Sequence, residues 1–197
     1  MKFSTLFAGC LFVAVVATPA AAQKSVYTAV LNGSGEAPAN ASPGVGSATV
    51  TIDPSLHTMR VQESFSGLLA GVTAAHIHCC TAVSDTGTAG VATTTPTFTD
   101  FPSGVAAGTY DHTFDMTQAS SYSAAFITAS GGVNGAFEAL VAGLNGGSAY
   151  ANIHTSVFPS GEISGFLHAA PVPEPETYAM LLAGLAFISM AARRRRI

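Results

Sequence analysis

The chain has 197 residues, of which 48% are hydrophobic and only 9% charged, a balance that excludes an intrinsically disordered chain, which would be poor in apolar and rich in charged residues. Five of its seven basic residues lie near the ends (Lys2, Arg193, Arg194, Arg195, Arg196), leaving Lys24 and Arg60 against nine carboxylates between residues 23 and 171, a net charge of −7 with neutral histidine. Such a body lacks the Lys/Arg surface that phosphate binding needs, which excludes nucleic acid as a partner and makes cations the more natural small ligands.

In chain order, residues 1–22 read as a signal peptide. Met1-Lys2 gives a positive start, Leu6 to Val16 an apolar stretch, and Ala20-Ala21-Ala22 the small residues a signal peptidase needs before Gln23. Cys10 is lost with that segment. Residues 23–171 are then long enough for one domain with its own core. Residues 25–31 and 47–52 are strand-like and are separated by a Gly/Pro/Asn-rich loop. His57 to Phe65 alternates, with Met59, Val61 and Phe65 on one side and Arg60, Gln62 and Ser64 on the other, as in a half-buried strand. Glu63 interrupts the apolar side and places that strand near an edge. Thr73 to His78 is the next strand, and residues 81–110 form a long polar insertion of the kind that is often functional or mobile.

Two short helices are expected next. Thr117 caps one that runs to Phe126. Asn134 caps the other, with Phe137, Leu140, Val141 and Leu144 on one face and Gly146 at its end. Tyr150 to Thr155 and Glu162 to Leu167 read as paired strands joined through Pro159-Ser160-Gly161. The expected fold is all-β, an antiparallel Greek-key-like β-sandwich with one or two short helices. Residues 172–197 form a separate tail: Val172-Pro173-Glu174-Pro175-Glu176-Thr177, an uncharged run from Tyr178 to Ala192, then four arginines. The run reads as a membrane helix slightly short of the ~20 residues of an ordinary span, with the arginines held on the cytoplasmic side.

The tail resembles a PEP-CTERM sorting signal. The resemblance implies a Gram-negative bacterium, recognition of Pro173, Glu174 and Pro175 by an exosortase, anchorage in the inner membrane during transit, and delivery to the cell surface or the extracellular polysaccharide. The body resembles the CHRD domain, named from chordin. The residues that carry this are Leu31 to Pro38, Ala75-His76-Ile77-His78, Tyr150 to Thr155, and Phe158-Pro159-Ser160-Gly161-Glu162-Ile163. Cys79-Cys80 stand where that family usually continues with Gly and Pro, and Ser164 replaces its usual basic residue. The family supplies a fold and an extracellular address. The expected role is non-catalytic, binding or structural at the cell surface, with polysaccharide or surface proteins as partners.

On a strand, residues two apart share a face. His76 and His78 therefore oppose Ile77, and Asn152 and His154 oppose Ile153. If the two strands are neighbours with the isoleucines inward, His76, His78 and His154 converge on the outer face. Three imidazoles suit copper, zinc or nickel, and superoxide-dismutase-like chemistry is a remote analogy. The plainer alternative is ordinary hydrogen bonding at strand ends. His57, His112 and His168 show no such pattern. Cys79 and Cys80 can bond each other, pair with another chain or ligate metal; export to an oxidising compartment favours a disulfide between them. Glu162 is placed to hydrogen-bond nearby backbone or Asn152.

Overall fold

A computed structural model describes residues 23–171 and 175–194. The signal peptide expected over residues 1–22 lies outside the described residues, as do Pro173 and Glu174 of the sorting motif. The body is built from β1 (Ser25–Asn32), β2 (Val45–Asp53), β3 (Thr58–Ser66), β4 (Val72–His78), β5 (Gly108–Asp115), α1 (Ala124–Ala129), α2 (Val133–Asn145), β6 (Tyr150–Thr155), β7 (Ile163–Phe166) and β8 (His168–Ala169). A helix, α3 (Pro175–Arg194), follows.

The strands pair in the order β4-β6-β7-β1-β2-β3-β5, with β8 on β1, and every strand-to-strand pairing is antiparallel. The antiparallel β reading with short helices holds. The strands, however, link into one curled sheet, a half-barrel, where two stacked sheets were expected. The apolar residues of each alternating strand line the inside of the curl: Tyr27, Leu31, Val50, Met59, Val61, Ile77, Ile153 and Ile163 are all fully buried there. α2 adds Ala136, Leu140 and Leu144 to the same core, with Phe137 and Val141 packed against it. Gly146 ends this helix as expected, but its N-cap is Gly132 and not Asn134. Likewise Ser123, not Thr117, caps the shorter α1, accepting from Phe126 N–H; Thr117 donates instead to Asp115 Oδ1.

The 81–110 segment is not a free insertion. Its last residues begin β5, which pairs with β3 and takes the sheet's edge, leaving β3 one position inside it. Upstream of β5 the chain runs along the open edge of β4. Ala92 N–H donates to Ile77 O and Phe98 N–H to Ala75 O, while Gly104 N–H and Val72 O close the far end. Thr93 and Thr97 add side-chain oxygens that accept from Ile77 N–H and Ala75 N–H at 3.0 and 2.9 Å. Phe98 and Phe101 from this strap are buried in the core. An unpaired strand edge is a site for aggregation, and covering it with a hydrogen-bonded strap removes that hazard.

Glu63 sits in the inward row between Val61 and Phe65, 4% exposed, and neither of its carboxyl oxygens has a hydrogen-bond partner. Burial raises its pKa from 4.5 to about 8. The folded chain thus keeps this proton across a window in which the unfolded chain has lost it, so stability falls as pH rises from about 4.5 to about 8. Glu63→Gln removes that slope. The variant is expected to match the wild type in thermal melts near pH 4 and to exceed it by on the order of 3 kcal/mol at pH 7. Parallel melting curves at both pH values would contradict this.

No helix among the described residues is long and apolar enough to cross a membrane. α3 forms where the apolar run was expected.

Candidate metal centre

β4 and β6 are neighbours, with His76 opposite Asn152, Ala74 opposite His154, and His78 opposite Tyr150. Because side chains alternate across a strand, this register sets His76, His78, Asn152 and His154 on the face away from Ile77 and Ile153. The three imidazoles meet there. Their ring centroids lie 5.7 Å (His76 to His78), 5.3 Å (His76 to His154) and 5.9 Å (His78 to His154) apart. One nitrogen from each ring lies within 4.8 Å of the other two.

The face is not an open surface, which corrects the expectation of exposed histidines. His76 and His78 are only 6% and 8% exposed, and His154 is half-buried. The strap beyond β4 and the turn after β6 cover them, and the same segments hold the rings. His76 Nε2 lies 2.7 Å from Pro96 O, His78 Nδ1 3.0 Å from Ala89 O, and His154 Nδ1 3.0 Å from Pro159 O. A carbonyl only accepts, so each of these nitrogens carries the proton of a neutral ring. The opposite nitrogens, His76 Nδ1, His78 Nε2 and His154 Nε2, are then lone-pair atoms, and all three are buried with no partner. Backbone carbonyls fixing the far N–H of each ring are the usual outer support of a metal-bound histidine.

The electrostatics agree with neutral rings. Burial pushes His76 down to about 4, its Pro96 hydrogen bond opposing and the neighbouring imidazoles adding to the shift. Burial also lowers His78 and His154, against the hydrogen bonds to Ala89 and Pro159. Neutral imidazole is the form that binds a metal ion.

Cys79 and Cys80, directly after β4, are bonded to each other. The pair packs on α2 where Gly143 leaves room; a Cβ there would overlap both sulfurs. The remaining histidines stand apart from the cluster: His57 packs on Phe137, His112 beside Phe114, and His168 Nε2 lies 3.1 Å from Asp85 Oδ1.

Glu162 is wholly buried and does not bond Asn152. It accepts from Ser42 Oγ, Leu69 N–H and Thr155 Oγ1 at 2.6, 2.7 and 2.6 Å. Asn152 instead donates to Glu36 Oε2 at 3.5 Å. Glu36 belongs to the turn after β1, where Asn32 Oδ1 accepts from Gly35 N–H at 2.9 Å. The opening motif and the β6 motif thus meet at one place, although Glu36 gave no sign in the sequence of belonging beside the histidines. Nor did the three carbonyls, since backbone acceptors carry no side-chain signature.

A curled antiparallel domain with a strap over one edge and three largely buried imidazoles clustered beneath it is the class of protein that fold and site define. The chain belongs to the CHRD domain family, which matches residues 27–167. A PEP-CTERM protein-sorting motif matches residues 171–196. Together they mark an exported protein handled by an exosortase and sorted to the cell surface or beyond. No curated protein and no solved structure matches the chain.

Proposed function

We propose that this exported protein is a non-catalytic binding module of the cell surface whose CHRD domain holds a single copper or zinc ion on His76, His78 and His154. The observation that carries this is a cluster of three imidazoles whose ligand nitrogens lie within 4.8 Å of one another, each ring with one nitrogen buried and unpartnered and the other held by a backbone carbonyl. A buried polar atom without a partner costs roughly 1–3 kcal/mol, and three at one point are hard to reconcile with a purely structural role. An ion at their focus would satisfy all three. Imidazole donors suit copper and zinc, whereas calcium and magnesium prefer oxygen. The acidic body favours cations as well.

In this reading residues 1–22 direct export and are removed by signal peptidase. The tail from Val172 serves as a transient membrane anchor until the exosortase acts at Pro173-Glu174-Pro175. The domain then resides among surface proteins and extracellular polysaccharide. Elemental analysis of the protein isolated from its own host tests the metal. One equivalent of copper or zinc in the wild type, absent from His76→Ala/His78→Ala/His154→Ala, is the expected result. Equal, negligible metal in both would reject the site.

A further inference from the structure

Beside the imidazole cluster lies a cavity of about 190 Å³. His78, Tyr150 and Phe166 line it together, and Glu36, Asn152 and Ser164 add a polar side; the exposed Thr88 also borders it. Tyr150 stacks on the His78 ring at 4.8 Å between centroids, which fixes the shared wall. Two acceptors on the polar wall, Glu36 Oε1 and Asn152 Oδ1, are buried and unpartnered, and Asn152 as a whole is 3% exposed. Gly161 presses on the same pair, since a Cβ there would collide with Glu36 Oε2 and Asn152. The polar wall is therefore closely packed, and two of the residues that line the hollow each carry an unpartnered acceptor. Neither acceptor is used by the metal-binding residues.

The histidine cluster supplies three donors, while zinc and copper(II) in such sites take at least four ligands. We propose that the fourth is an exchangeable small molecule admitted through this cavity, an oxygen donor that still carries hydrogen, such as water or a hydroxyl compound. Its oxygen lone pair goes to the ion and its O–H to Glu36 or Asn152. This rests on the metal reading of the three histidines and adds an access route and an outer hydrogen-bonding wall. It also explains why the Gly35-Glu36 turn and the Asn152 position belong to one structure: they form the ligand's side of the site, as the histidines form the metal's. The carboxyl is well suited to that wall, because burial raises its pKa to about 7 against the hydrogen bonds from Ser164 and Asn152, so it can accept or donate near neutrality.

The test uses the full exported protein loaded with copper(II), and azide as the probe ligand, followed by absorption and electron paramagnetic resonance. Azide is expected to perturb the copper signal of the wild type. Thr88→Trp, at an exposed position of the cavity lining outside the histidine set, is expected to retain its copper and weaken azide binding by about tenfold, which corresponds to about 1.4 kcal/mol. Glu36→Ala removes a group that repels an anion when ionised, and is expected to tighten azide binding several-fold at pH 8, again at unchanged copper content. Effects of opposite sign from two residues outside the histidine set support the cavity as the route. Copper-loaded protein that ignores azide, or that binds it equally in all three proteins, would overturn it. If the wild type takes up no copper, it is the metal reading itself that fails. Should Thr88→Trp not fold, the Glu36→Ala comparison still decides the matter.

Discussion

Adding one equivalent of copper(II) or zinc(II) to the exported protein is expected to raise its melting temperature, and His76→Ala/His78→Ala/His154→Ala is expected to abolish the rise. A ligand that binds only the folded chain stabilises it by about 2.7 kcal/mol at a free concentration 100 times Kd, and by about 4.1 kcal/mol at 1,000 times. The unfolded chain has no formed site, because His154 lies 76 positions along the chain from His78 and reaches it only through the β4–β6 pairing. Loss of any one imidazole leaves two donors on the same face. Each single His→Ala change is therefore expected to weaken binding by more than the roughly 10–100-fold that outer-support changes cost. His154→Ala is the most informative single variant, since that ring is half-buried and its removal disturbs the core least. Equal thermal shifts in wild type and triple variant would place the metal elsewhere.

Glu162→Ala is expected to lower the stability of the metal-free protein by on the order of 4 kcal/mol. Its side chain is wholly buried and ties together three separate segments: the loop before β2 through Ser42, the turn after β3 through Leu69, and the end of β6 through Thr155. Truncation leaves three donors facing a void, one of them a backbone N–H, and such buried orphans lose their full desolvation energy. Glu162→Gln keeps one carbonyl oxygen and most of the volume, so it is expected to recover at least half of the loss. Urea unfolding followed by circular dichroism measures both. A Glu162→Ala midpoint equal to that of the wild type would show that these bonds do not hold the segments together.

How much of this was legible in the sequence depends on the type of signal each segment carries. β3 was plain because Met59, Val61 and Phe65 alternate with polar residues over its whole length, and β6 was plain because Tyr150 to Thr155 is bounded by turn residues on both sides. The same period-two logic placed His76, His78 and His154 on one face. β5 was missed because Tyr110 and Phe114, its inward pair, follow a Gly/Thr/Pro-rich stretch whose composition reads as loop. That stretch is a strap whose backbone bonds β4, and backbone pairing leaves no residue-type pattern to read. The single curled sheet was hidden for a related reason. Alternation says that one face is buried, and it says nothing about whether a second sheet or the sheet's own curvature covers that face. The helix caps went astray because Thr117 and Asn134 are good capping residues lying a few positions from where packing starts each helix.

At the candidate centre, the sequence contained the three imidazoles and the adjacent cysteines but not their burial. The covering comes from Pro96, Ala89 and Pro159, each contributing a carbonyl from a non-regular segment. Glu36 is the clearest omission. Its Gly35-Glu36-Ala37-Pro38 setting belongs to a turn, and only the fold brings that turn across to Asn152.

X-ray absorption at the copper or zinc edge of the metal-loaded protein tests the three-imidazole centre most directly. The spectrum is expected to show imidazole scattering from three rings with metal–nitrogen distances near about 2.0–2.1 Å and one further light-atom ligand, and no sulfur, since Cys79 and Cys80 are bonded to each other. A spectrum dominated by oxygen or sulfur, or one unchanged in His76→Ala/His78→Ala/His154→Ala, would contradict a centre built on those three side chains.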